Sequence, residues 1–124
     1  KAELEQRGYT VLDLGTHGDD SVDYPDFGRA VGEAVASGQA GRGIVICGTG
    51  IGISIAANRI AGVRAAVCHD VTSAKLAREH NDANVMALGV RLIGPEVAMD
   101  CLDAFMTTEF SGGERHVRRI EKLG

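Results

Sequence analysis

Apolar residues along this chain fall into two kinds of stretch that alternate. Short, nearly unbroken runs cover Tyr9–Gly15, Gly43–Cys47, Val63–Cys68 and Asn84–Gly89. Their length and β-branched content predict strands. Between them, apolar residues recur at helical spacing. Phe27, Ala30, Val31, Ala34 and Val35 form one stripe of a helix that Pro25 opens and Gly38 stops. Residues 53–60 predict a second helix, and residues 71–81 a third, with Asp70 as its cap. Pro95 opens a fourth, in which Val97, Cys101 and Phe105 repeat every four residues. A basic helix over residues 114–123 closes the chain. At the other end, Lys1–Arg7 reads as the last turns of a helix that Gly8 stops, so a preceding strand and part of that helix are expected to be missing.

Strands that alternate with helices through short loops predict an α/β fold. We expect a Rossmann-like parallel sheet with helices on both faces, in three layers, α/β/α. The near-continuous apolar strands fit a sheet covered on both sides. Ligands of such sheets bind at the carboxyl ends of the strands. The loops after Gly15, Cys47, Cys68 and Gly89 therefore form the expected functional edge.

Composition narrows the function. The 124 residues suffice for one domain. A formal net charge of −4 and an aromatic content of 4% give no sign of a nucleic-acid partner. No apolar run has the roughly 20 residues of a membrane helix. The three cysteines form no C-x-x-C pair, which predicts free thiols in a reducing cytoplasm and no zinc site.

The stretch Ile46–Gly52, ICGTGIG, ends a strand on a cysteine and follows it with three glycines in five residues. Gly48, Gly50 and Gly52 permit a tight turn whose N–H groups, with the positive end of the next helix, suit a phosphate or an oxyanion. Thr49 adds a hydroxyl. Cys47 at the rim feels the same field, which favours thiolate, a nucleophile or a base. The plainer reading makes Cys47 an apolar filler and the glycines a turn. A dinucleotide fingerprint is a third reading, since Gly48 and Asp70 have its spacing, but the third glycine comes one position early.

Other candidates are more diffuse. His80, Asn81 and Asp82 mark a helix-to-strand junction, where His80 is either a general acid–base or a polar residue at a helix end. His17, Asp19, Asp20, Asp23 and Asp26 form an acidic loop, a possible metal site that reads first as a solvated loop. Arg115 and Arg119 share a face with the spacing to grip one phosphate, unless the basic helix is only a charged surface. Arg91 follows the last strand at the functional edge, and Cys68 and Cys101 read as core.

Four segments together carry a resemblance over nearly the whole chain: DYPDFG, GIVICGTGIGISIAANRIAGVRAAVC, SAKLAREHNDANVMALGVRLIG and GGERHVRRIEKL. They resemble the B-type ribose-5-phosphate isomerases, in a family shared with the subunits of galactose-6-phosphate isomerase. The resemblance implies a cofactor-free and metal-free aldose–ketose isomerase. It implies a sugar-phosphate substrate and a homodimer or homotetramer with its active site between subunits. By that resemblance Cys47 removes the C2 proton. The glycine loop with Thr49, mapped onto Gly48, Gly50, Ile51 and Gly52, steadies the enediolate. His80 opens the furanose ring with Asn81 beside it. Arg91, Arg115 and Arg119 bind phosphate, and Asp23 and Tyr24 lie near the substrate. Ribose 5-phosphate is the expected substrate, with a six-carbon sugar phosphate as the alternative and a non-catalytic phosphate- or dinucleotide-binding module as a second. Two departures stand out. The family begins with a strand ending in an Asp-His pair, which nothing before Tyr9 supplies. Its closing G-G-R-H is interrupted by Glu114, so either Arg115 and Arg119 keep their roles or Arg118 takes one over; Ile120 favours the former.

Overall fold

A computed structural model describes residues 1–15 and 23–124. The elements follow in the order α1 (Ala2–Gln6), α2 (Tyr24–Ala36), β1 (Gly43–Cys47), α3 (Ile51–Asn58), β2 (Ala65–Val67), α4 (Val71–Asn81), β3 (Val85–Gly89), α5 (Pro95–Thr107) and α6 (Glu114–Leu123). The three strands pair in parallel in the order β1-β3-β2, with Cys47 opposite Gly89 at the carboxyl edge. The predicted α/β architecture is thus present, with helices on both faces.

β3 shows why both faces must be covered. All five of its residues are buried. Side chains alternate across a strand, so Val85 and Ala87 join Val45, Ile53 and Ala57 under α2 and α3. Met86 and Leu88 join Cys68, Cys101 and Phe105 under α4 and α5.

Local chemistry fixes the helix ends. Asp70 accepts a hydrogen bond from the Ser73 N–H at 2.6 Å, and the Ser73 hydroxyl oxygen accepts from the Asp70 N–H at 3.3 Å. This capping box starts α4 where the sequence placed it. It also occupies the carboxylate that a dinucleotide reading would reserve for a ribose. Helix α3 begins at Ile51, two residues earlier than periodicity predicts, because the turn at Gly50 already directs the chain into the helix with φ +79°. Its last residue, Asn58, exchanges two hydrogen bonds with the backbone of Ala65, at 2.9 and 2.7 Å, and so ties α3 to β2.

One expectation fails. Tyr9–Gly15 reads as a strand but belongs to no ladder. A strand needs a neighbour for its N–H and C=O groups. Between this segment and β1, the edge strand, lies a cleft of about 1130 Å³, lined among others by Tyr9, Val11, Ile44, Ile46 and Leu102.

Glycines set how closely α2 lies on α3. A Cβ at Gly28 would stand 2.7 Å from the Ile53 carbonyl oxygen, which belongs to helix backbone and cannot turn away. Gly28→Ala is therefore expected to destabilise the fold by about 1–3 kcal/mol despite alanine's better helix propensity. Urea unfolding followed by circular dichroism measures it; an unchanged midpoint would mean that α2 shifts freely.

Candidate active site

Cys47 ends β1 at the carboxyl edge and is half-buried. Its Sγ accepts a hydrogen bond from the Gly50 N–H at 3.2 Å. Burial alone would raise the thiol's pKa, but the N–H groups of Ile53, Thr49 and Gly50 and the Thr49 hydroxyl outweigh it, and the net shift is downward. Donors aimed at one sulfur from the start of a helix favour the thiolate. The other two thiols go the opposite way. Burial pushes Cys68 up to about 11 and raises Cys101 as well, and both are fully enclosed.

Iodoacetamide, which reacts with thiolates, is therefore expected to modify Cys47 alone in the native protein. Its rate should climb with pH through a midpoint below the ordinary thiol value of 9.0. Peptide mass spectrometry across a pH series checks this. Labelling of Cys68 or Cys101 before unfolding would contradict it.

The turn after Cys47 rests on the end of β3. The Val90 and Arg91 N–H groups donate to the carbonyls of Cys47 and Gly48, at 3.0 and 2.9 Å. A Cβ at Gly89 would stand 2.7 Å from the Thr49 Cα, so this approach requires glycine there. Sequence reading did not single out Gly89, because a glycine that ends a strand looks like any other loop start. The Arg91 side chain lies over Gly48, its Nε 3.5 Å from where a Gly48 Cβ would be. Ile51 N–H donates to the Thr49 hydroxyl oxygen at 3.2 Å. Ile51 is half exposed, beside the turn.

Tyr24 opens α2 and packs against Gly52: a Cβ there would meet the Tyr24 ring at 2.5 Å. Asp23, the N-cap of α2, is exposed, and its carboxylate makes no capping hydrogen bond. The structure thus gathers Tyr24, Cys47, Gly48, Thr49, Gly50, Ile51, Gly52 and Arg91 around one turn, with Asp23 next to Tyr24. His17, Asp19 and Asp20 of the acidic loop lie outside the described residues. Among those described, no group of three His, Cys, Asp or Glu side chains could hold a metal.

His80 and Asn81 are not at that turn. Helix α4 starts beyond the carboxyl end of β2 and runs back to the amino edge. There the Asn84 carbonyl accepts the Gly43 N–H at 2.8 Å, at the start of β1. The five residues of β3 separate the two edges by about 13 Å at 3.3 Å per residue. One chain therefore holds Cys47 and His80 at opposite ends of its sheet.

The His80 corner is built with care of its own. Asp82 takes the left-handed conformation, φ 45°, and caps α4. Its carboxylate accepts from the buried Arg78 at 2.8 Å, and Arg64 donates to the carbonyls of Asn81 and Asp82 at 3.0 Å each. Against this corner lies α6, linked to α4 through Ser111, whose N–H and hydroxyl both donate to the Glu79 carbonyl, at 3.2 and 2.8 Å. His116 of α6 stacks on His80. Arg115 and Arg119 stand close enough to lower the His116 pKa by their charge, after burial and His80. The basic helix thus adds Arg115 and Arg119 to the His80 corner, not to the Arg91 corner of the same chain.

Parallel strands between two helical layers, with a thiolate-stabilising turn at their carboxyl edge, define a Rossmann-like α/β protein. The chain belongs to the ribose/galactose isomerase family, which it matches over residues 1–123. It is 48% identical over 122 residues to ribose-5-phosphate isomerase B of Escherichia coli (strain K12), covering 98% of this chain and 81% of the relative. It is 45% identical over 123 residues to D-erythrulose-4-phosphate isomerase of Pectobacterium atrosepticum, covering 98% and 80%. The solved structure of Clostridium thermocellum ribose-5-phosphate isomerase B superposes with a TM-score of 0.97 at 58% identity, covering 99% of this chain and 82% of that one.

Proposed function

We propose that this isomerase interconverts ribose 5-phosphate and ribulose 5-phosphate through an enediolate. The observation that carries the reading is the Cys47 sulfur, ringed by N–H donors at the carboxyl edge and shifted toward thiolate. A base of this kind takes the C2 proton of the open-chain aldose. The electron pair forms the C1–C2 double bond and leaves negative charge on O1. Protonation at C1 and transfer of the O2 proton to O1 then give the ketose, with no net change in protons. The Thr49 hydroxyl and the amides of the Gly48–Gly52 turn supply the donors that the charged oxygens need.

We assign ring opening to His80, with Asn81 beside it, and phosphate binding to Arg91, Arg115 and Arg119. Asp23 and Tyr24 border the sugar. Since one chain keeps Cys47 and His80 at opposite sheet edges, the complete site in this reading lies between two copies, in a homodimer or a homotetramer. We assign the phosphate role to Arg115 and Arg119 rather than Arg118; both lie near enough to His116 for their charge to act on it. A strand ending in an Asp-His pair, implied for the family by resemblance, would seat in the cleft between Tyr9–Gly15 and β1. The three free thiols support a reducing compartment, the cytoplasm.

The test is ribulose 5-phosphate formation from ribose 5-phosphate without added metal, run on the chain as it stands and with such a strand appended. Formation by either form supports the reading. Failure of both overturns it.

A further inference from the structure

The imidazole rings of His80 and His116 stack, with centroids 4.5 Å apart and planes 9° from parallel. We propose that His116 is a positioning residue for ring opening: it holds the His80 imidazole in one orientation toward a cyclic substrate. The inference rests on the ring-opening role given to His80 above.

Two features of the corner carry it. The backbone under His80 is fixed by Arg64, Arg78 and Asp82, but those contacts leave the ring itself free to turn. His80 is exposed, and among the described residues its ring makes no hydrogen bond; its one ring contact is His116. An exposed side chain samples several rotamers, and a stacked partner selects among them. His116 in turn is held in place. It is half-buried at the first turn of α6, its N–H donates to the Gly113 carbonyl at 3.0 Å, and the Arg115 Nη2 lies 3.5 Å from its Nε2. Burial first, then the charges of His80, Arg115 and Arg119, lower the His116 pKa and so favour its neutral ring.

Orientation matters to this step more than to the next. To open the furanose, one imidazole takes the proton of the C1 hydroxyl, and the C1–O4 bond breaks with its electron pair going to O4. The imidazolium then returns the proton to O4, leaving C1 as the aldehyde. The same ring must face two oxygens in turn. Enediolate formation at Cys47 asks nothing of it.

The experiment separates these two steps. Ribose 5-phosphate is cyclic, whereas ribulose 5-phosphate is open, because its C5 oxygen carries the phosphate. Turnover of the aldose needs ring opening; solvent-deuterium uptake at C1 of the ketose needs only the enediolate. In His116→Ala, kcat for ribose 5-phosphate is expected to fall about tenfold, the scale of one lost aromatic contact. Deuterium uptake should stay within twofold or so of the parent. His116→Phe, which can still stack, should recover most of the loss. In NMR spectra, the His80 ring protons should move downfield in His116→Ala as the ring-current shift disappears, and this readout needs no activity. Equal loss in both reactions, no loss in either, or no movement of the His80 resonances would overturn the inference. His80→Ala serves as the separate control. If it slows aldose turnover and deuterium uptake alike, the ring-opening role of His80 is what fails.

Discussion

Cys47→Ala is expected to lower turnover of ribose 5-phosphate by about 10³-fold or more, in the upper range for a positioned general base. Nothing nearby can replace the sulfur. The Thr49 hydroxyl is a far weaker base, and the Arg91 guanidinium beside Gly48 has donors only and no acceptor. The fold should survive, because Cys47 is half-buried at a strand end and loses only one atom. The expected cost is about 1 kcal/mol or less, by the scale of a buried methylene. Cys47→Ser should fail almost as badly, since the same ring of amides acts on a hydroxyl whose proton is held far more tightly. Initial rates in a coupled assay, with a melting curve for each variant, decide the matter. If the alanine variant kept a tenth of the parent rate or more, Cys47 would not be the base.

Much of this was legible in the sequence, for identifiable reasons. β1, α4 and α6 begin and end where the pattern puts them, because their limits are set by local chemistry: the glycine turn after Cys47, the Asp70 cap, the glycines before Glu114. Tyr9–Gly15 has the pattern of a strand and joins no ladder, because a strand is a relation between neighbours and hydropathy reports only one of them. Cys47 was legible as a rim thiol that the glycine turn sets apart from Cys68 and Cys101, which read as core; the structure adds the N–H donors around its sulfur. Nor could spacing announce the His80–His116 stack, since 36 residues separate them and α6 is docked by the Ser111–Glu79 hydrogen bonds. The resemblance gathered Cys47 and His80 into one mechanism. The connectivity of a parallel sheet separates them, because each helix carries the chain back to the amino edge.

That separation gives the second large effect. Cys47→Ala and His80→Ala, each close to inactive alone on ribose 5-phosphate, are expected to regain activity when their subunits are mixed and allowed to exchange. If each site takes its thiol from one copy and its imidazole from another, a mixed pair has one site with both groups lost and one with both intact. Random exchange at equal concentrations makes half of the pairs mixed, so activity should return to about a quarter of the parent value, by the symmetry of a two-fold pair. A site complete within one chain predicts no recovery at any mixing ratio, because every chain then carries a defect in its own site. The exposed Ile51 and Ile55, one turn apart on α3, form an apolar strip that a second copy would cover. Analytical ultracentrifugation of each variant before mixing ensures that the pairs form and exchange. With exchange demonstrated and no activity regained, the two halves of the site would have to meet within one chain, and the placement of His80 at the amino edge would lose its functional meaning.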